Sequence, residues 1–190
     1  RLTGPADATR TVDYWAEQGA TSFKAYMQIT RAELKAAIAA AHAHHDKVTG
    51  HLCSVTFREA ANLGIDNLEH GFFVATDFVK GKQPDQCPKG GTESIASLDP
   101  DSPEVASLVK LLVDKHVALT STLGVFETFV PGRPELPQAA LGLLSPALRD
   151  LYATAWKKTQ AMPAPRARMM QEEFAKGTRL EKKFVEAGGL

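Results

Sequence analysis

Lys24, His51 and His70 are the residues of this chain whose types could do chemistry together, one latent amine and two imidazoles. Each stands at the end of a short apolar segment, in S-F-K-A-Y, K-V-T-G-H-L and D-N-L-E-H-G respectively. Neutral imidazole is a common zinc ligand, and two imidazoles leave positions for water and an oxygen donor. A buried lysine disfavours its ammonium form, which lowers its pKa and frees the amine. Blander roles are open at each position: an ion-pair partner or a Schiff-base nucleophile for the lysine, a satisfied polar residue for either histidine.

The spacing between the three leaves room for one helix and one turn each time, which predicts the ends of successive strands in a β/α repeat. A parallel sheet cannot reverse through a tight turn, and a helical pattern separates each strand from the next. In a parallel barrel such strand ends converge on one face, where active sites sit. Pro5 to Gln18 carries Val12, Trp15 and Ala16 at helical spacing and stops at Gly19. A strand over Ala20–Met27 follows, with Ser22, Lys24 and Tyr26 on one side and Phe23 and Ala25 on the other. Thr30 with Glu33 forms a capping box for an alanine-rich helix to about His45, and Lys47–His51 is the next strand. Thr56 with Glu59 repeats the device for a helix closed by Gly64, ahead of a strand over Ile65–His70.

Residues 71–102 turn irregular and polar, through K-G-K-Q-P-D-Q-C-P-K-G-G, and are expected to be a lid-like insertion. Ser102 and Pro103 open a helix through Lys115, and V-A-L-T-S-T-L makes a fourth strand. A proline-rich connection leads to a helix from Ser145 and Pro146 to about Ala161, then a last helix over Arg166–Glu186. The fold class expected is α/β, with about four parallel strands and their helices. That is part of a TIM-like (β/α)8 barrel, which normally takes roughly 250 residues and eight strands. An open half would expose two unpaired edges and apolar inner faces. The expectation is therefore a central piece, completed by the rest of the same protein or by a second chain.

Twenty-two basic and 22 acidic side chains leave no net charge to steer the chain toward nucleic acid or membrane. No run of about eighteen apolar residues could span a bilayer. The first residues hold no signal-peptide core and no starting methionine, as expected of a fragment or a processed chain. Two cysteines, Cys53 and Cys87, are too few for a disulfide framework and lack zinc-site spacing. Cys53 reads as a small buried hydrophobe. His42, His44 and His45 read as solvated cations at a helix C-terminus. Strand alternation sends Glu69 to the side opposite His70, toward a structural ion pair or hydrogen bonds. Tyr26 suits a substrate hydrogen bond or packing at the barrel mouth.

The segments F-K-A-Y, A-H-A-H-H-D-K-V-T-G-H-L and E-A-A-N-L-G-I-D-N-L-E-H-G resemble the amidohydrolase superfamily, in particular its imidazolonepropionase-like and Xaa-Pro dipeptidase-like branch. The resemblance implies that Lys24 ends strand four and that His51 and His70 end strands five and six, so the chain would hold strands four to seven. It further implies a Lys24 carbamate bridging two divalent metal ions, zinc above all. The ions would lower the pKa of a shared water and polarise the carbonyl of a small amide, cyclic amide or dipeptide substrate. The family's His-x-His pair on strand one and Asp on strand eight have no counterpart here, since His42 and His44 precede the fifth strand. The isolated chain is thus expected to be an incomplete hydrolase. A lysine Schiff-base lyase and a catalytically silent assembly domain are the alternatives.

Overall fold

A computed structural model describes residues 2–190, with the side chains of all of these but 91–93. In chain order the elements are α1 (Pro5–Glu17), β1 (Ser22–Ala25), α2 (Arg31–Ala43), β2 (Lys47–Gly50), α3 (Phe57–Leu63), β3 (Asn67–Glu69), a 3-10 turn (Gly71–Val74), α4 (Gly91–Ser97), α5 (Pro103–Asp114), β4 (Ala118–Thr120), α6 (Leu123–Glu127), α7 (Gln138–Gly142), α8 (Pro146–Gln160) and α9 (Ala164–Glu186). The four strands form one sheet in the order β1-β2-β3-β4, and every neighbouring pair is parallel. The structure is therefore α/β, each strand lying beside the one before it in sequence, as the spacing of Lys24, His51 and His70 predicts. The register sets Lys24 beside Thr49, Thr49 beside Asn67, and Glu69 beside Thr120.

Local chemistry fixes where the helices begin. Thr30 with Glu33 and Thr56 with Glu59 form complete capping boxes, so two otherwise orphaned donors are satisfied at each start. The Ser102 and Ser145 hydroxyls accept from the amides of Val105 and Leu148, each serine preceding a proline in the first turn. Leu34 and Ile38 of α2, Phe57 of α3 and Leu108 of α5 are buried in one core with Val48 of β2 and Leu68 of β3. Burying each such side chain contributes about 1.5–3 kcal/mol.

The opposite face of the sheet corrects the expectation of apolar inner faces. Successive strand residues alternate sides, so Lys24, Thr49, Asn67, Glu69 and Thr120 share the face that Val48 and Leu68 avoid. The outer edge of β4 is partly satisfied too: Leu119 N–H donates to the Leu190 carbonyl at 2.8 Å. In the proline-rich connection, for which the sequence predicts no element, the short helices α6 and α7 form. The long α9 packs across the turn after β3. There the Phe72 and Phe184 rings meet at 6.3 Å, and Phe73 fills space that a Cβ at Gly177 would occupy. Among the described residues no helix is long and apolar enough to cross a membrane.

The segment after the 3-10 turn is braced rather than loose. Asp77 accepts from the amides of Phe57 and Arg58 at 2.9 and 3.0 Å, adding a second cap to α3. Asp85 accepts from the Arg31 amide at 2.7 Å and from its guanidinium, tying the same segment to the first turn of α2. Lys82 donates to the Ser54 carbonyl at 2.6 Å. Cys53, read as a small hydrophobe, is disulfide-bonded to Cys87 across a separation of 34 residues. That separation hid the pair, because nothing local marks two half-cystines that tertiary structure brings together. Closing a loop of that length removes unfolded-state entropy worth about 2–4 kcal/mol. Cys87→Ser should accordingly lower stability by about that amount, and a reducing agent should do the same to the native chain. Urea unfolding checks both, and a midpoint indifferent to reductant would contradict the brace.

Candidate functional site

The C-terminal ends of β1, β2 and β3 lie side by side, and each places one candidate side chain. Lys24, on β1, donates its Nζ to Oε2 of Glu69. Its side chain keeps 45% of its exposure, so the burial expected of it is not found, and it serves as an ion-pair partner. His51 follows the last residue of β2. Its amide donates to the Ala25 carbonyl at 3.1 Å, which carries the β1–β2 ladder one rung further and fixes where the ring emerges. His70 follows β3, and its ring stands edge-to-face against His51 with centroids 4.4 Å apart. The structure thus brings all three sequence-derived residues together. Tyr26, 61% exposed, sets its ring edge-on to His51 at 5.1 Å.

Glu69 makes the ion pair and hydrogen bonds expected of it, but beside the candidate site rather than away from it. His70 does not take the opposite side, because the strand stops there. His70 adopts the left-handed conformation at φ 70°, and Gly71 follows at φ 63°. That turn swings the imidazole back, leaving Nε2 3.8 Å from the Glu69 carboxylate and Nδ1 3.2 Å from the Thr122 hydroxyl. A non-glycine residue in this region costs roughly 1–2 kcal/mol. Gly71 cannot be replaced cheaply either, since a Cβ there would overlap the carboxylate of Glu181 on α9. Glu181 is buried and its Oε1 has no hydrogen-bond partner among the described residues; burial pushes its carboxyl pKa up, against a hydrogen bond with Ser121. The H-G dipeptide was the only sequence signal for this turn.

A directed hydrogen-bond chain supports the carboxylate. Asn67 donates through Nδ2 to the hydroxyl oxygens of Thr49 (2.7 Å) and Thr120 (2.9 Å). Thr49 in turn donates to Glu69 Oε1 at 3.0 Å. Burial raises the Glu69 pKa, but the Lys24 and Thr49 hydrogen bonds outweigh it and hold the carboxyl below its ordinary value. Both imidazoles are shifted down: His51 by burial, then by the charges of His70 and Lys24; His70 by burial and Lys24 against the pull of Glu69. The shift favours the uncharged form of each ring, which keeps a lone pair to give. Neither ring nitrogen of His51 makes a hydrogen bond among the described residues.

These are donor types that suit a divalent ion. A third donor has to come from Lys24, once carboxylated, or from Glu69; among the described residues no three His, Cys, Asp or Glu side chains are already disposed as a metal cage. His42 and His44 lie elsewhere, paired with Asp66 and Asp13 at 2.9 and 3.0 Å. Both were read as solvated at the end of α2, and the structure gives each a carboxylate partner there.

No family model matches the chain, and no curated protein does. Among solved structures it is similar to a provisionally assigned prolidase from Bifidobacterium longum, at 17% identity and a TM-score of 0.46, over 98% of this chain and 45% of that one. The chain thus spans less than half the length of that neighbour. At that distance the chemistry has to be argued from the site's own geometry.

Gly71→Ala should cost about 2–3 kcal/mol, from the positive φ and the collision with Glu181, and should broaden or shift the His70 ring resonances. Unchanged thermal stability would refute the tight turn. Glu69 has a depressed folded pKa, so its contribution is present above the ordinary glutamate value and is lost as pH falls through the lower folded one. Lys24 is nearly half exposed, and solvent screening limits the pair to about 1 kcal/mol or less. Glu69→Gln should therefore destabilise the chain slightly at neutral pH, and the gap from wild type should close in acid. A gap that widens on acidification would reverse the sign of the argument.

Proposed function

We propose that this chain is part of a metal-dependent amidohydrolase, hydrolysing amide, cyclic amide or dipeptide bonds, and that its sheet is a segment of a (β/α)8 barrel. The observation that carries the reading is the pair of imidazoles 4.4 Å apart at adjoining parallel strand ends, one of them without any hydrogen-bond partner among the described residues, with a lysine on the neighbouring strand. His51, His70 and Lys24 as its carbamate would hold one divalent ion, zinc being the natural choice for two imidazoles and an oxygen. When bound, such an ion supplies Lewis-acid polarisation and a lowered water pKa.

The chain's own residues set the terms for that chemistry. Glu69 holds the Lys24 ammonium, so carboxylation would need that hydrogen bond to be given up, one proton to leave so that the amine is free, and a second to leave as the nitrogen takes up carbon dioxide. Thr49 and Asn67 keep Glu69 oriented meanwhile, and the carboxylate is then placed to accept a proton near the strand ends. Thr122 orients His70 through Nδ1, which leaves Nε2 facing the Glu69 side. Tyr26 stands exposed beside His51, where a substrate hydrogen bond can reach its hydroxyl. The segment 71–102, braced over the first turns of α2 and α3, would wall the same rim. One observation favours a second reading: Lys24 is 45% exposed, with the Glu69 carboxylate beside it to accept the proton that the amine must lose before it can attack a carbonyl.

Calorimetric titration with zinc in bicarbonate separates the two. The chain should bind at most one ion, and His51→Ala or His70→Ala should abolish that binding. Lys24→Ala should weaken it, and gentle mass spectrometry should show an added carboxyl group on Lys24. Two tight sites, or binding indifferent to both histidines, would overturn the proposal. Borohydride trapping of a carbonyl compound on Lys24 would establish the lyase instead.

A further inference from the structure

Away from the strand ends, a cleft of about 1080 Å³ runs between α8, the start of α9 and the segment after α6. Its size is that of a site for a drug-sized organic molecule. The wall is apolar and adaptable: Phe129, Tyr152 and Trp156 line it together with the thioethers Met162 and Met170. It is also a built wall, since the Leu136 amide donates to the Tyr152 hydroxyl at 2.8 Å and the Gly132 amide to Gln160 Oε1 at 2.8 Å. These bonds pin the proline-rich segment to α8.

Two features point to an occupant. The indole Nε1 of Trp156 is buried without any acceptor among the described residues, although buried donors are almost always satisfied. The charges lining the cleft do not cancel. Arg133 is neutralised by Glu127 at 2.7 Å, and Glu127 is the only acidic residue among those lining it. Lys158 and Arg166 also line it and have no acidic partner among the described residues. An apolar body, an acceptor for the indole and an anionic head are what these surroundings lack.

We propose that this cleft binds a fatty carboxylate, its chain laid along Phe129 and Tyr152 and its head group met by Lys158, Arg166 and the indole N–H of Trp156. The assignment is independent of the chemistry at Lys24, His51 and His70. Both tryptophans of the chain are known positions, and Trp15 is 53% exposed on α1, so Trp15→Phe leaves Trp156 as the sole indole reporter at little structural risk. Titrating that variant with dodecanoate, below its micelle concentration, should give a saturable one-to-one change in Trp156 emission. Isothermal calorimetry on the unaltered chain should give the same affinity. The methyl ester should bind about tenfold more weakly, as should dodecanoate itself to Lys158→Gln/Arg166→Gln, the equivalent of about 1.4 kcal/mol. Ala155→Phe, which fills the cleft, should abolish binding with the circular dichroism unchanged. Absence of a saturable signal by both methods would overturn the proposal, as would acid and ester binding alike. Light scattering that shows a dimer closed over the cleft, dispersed by Ala155→Phe and insensitive to dodecanoate, would assign the surface to a second copy of the chain and equally overturn it.

Discussion

In a parallel sheet every second side chain is handed to the same side, and one side here is claimed by α2, α3 and α5. Val48 and Leu68 go to that side with the helix residues Leu34, Phe57 and Leu108. Everything polar on the central strands is thereby forced onto the other face, where the register aligns Lys24, Thr49 and Asn67 in one row. The candidate site is a by-product of this partition. Hydrophobic burial decides which face the strands turn inward, and the residues left over are already adjacent and can satisfy one another's hydrogen bonds. A slip of one residue in any strand would bury its charged or hydroxyl side chains and break the row.

The same alternation fails at the end of β3, and the failure shapes the candidate site. Strict continuation of β3 would have sent Glu69 and His70 to opposite sides. The left-handed backbone at His70 and Gly71 brings both toward Lys24 and His51 instead. Holding a histidine in that conformation needs support from beyond the strand. The support comes from α9, whose Glu181 occupies the space over Gly71 while Phe184 packs on Phe72. The C-terminal helix is in this sense part of the site's scaffold, although it contributes no side chain to its polar row.

Much of this was legible because the signals were local. The two threonine–glutamate capping boxes, the serine–proline helix starts, the Gly64 stop and the separation of Lys24, His51 and His70 by helical stretches all act within a few residues of where they are written. What the sequence hid depends on pairs far apart in it. Glu69 was assigned away from the site because alternation was extended one residue too far. Thr49, Asn67 and Thr120 are ordinary strand residues until the register sets them side by side. Cys53 and Cys87 carry no mark of each other. The inner face was expected to be apolar because a half barrel's interior was imagined empty, whereas its hydrogen-bond chain makes it a wettable surface.

The brace across residues 77–87 has one more consequence. Through Asp77, Lys82, Asp85 and Cys87 the segment is tied to α3, to the β2–α3 turn and to α2, so the rim around His51 is cross-linked as one unit rather than built from independent loops. In the hydrolase proposed above, such a rim would recognise by fixed shape. It would forgo the adaptive closure that lets a flexible loop accept many partners, and it would spare the ordering entropy that closure costs on each encounter. Discrimination between neighbouring compounds would then be set by substitution at individual positions, on a constant frame.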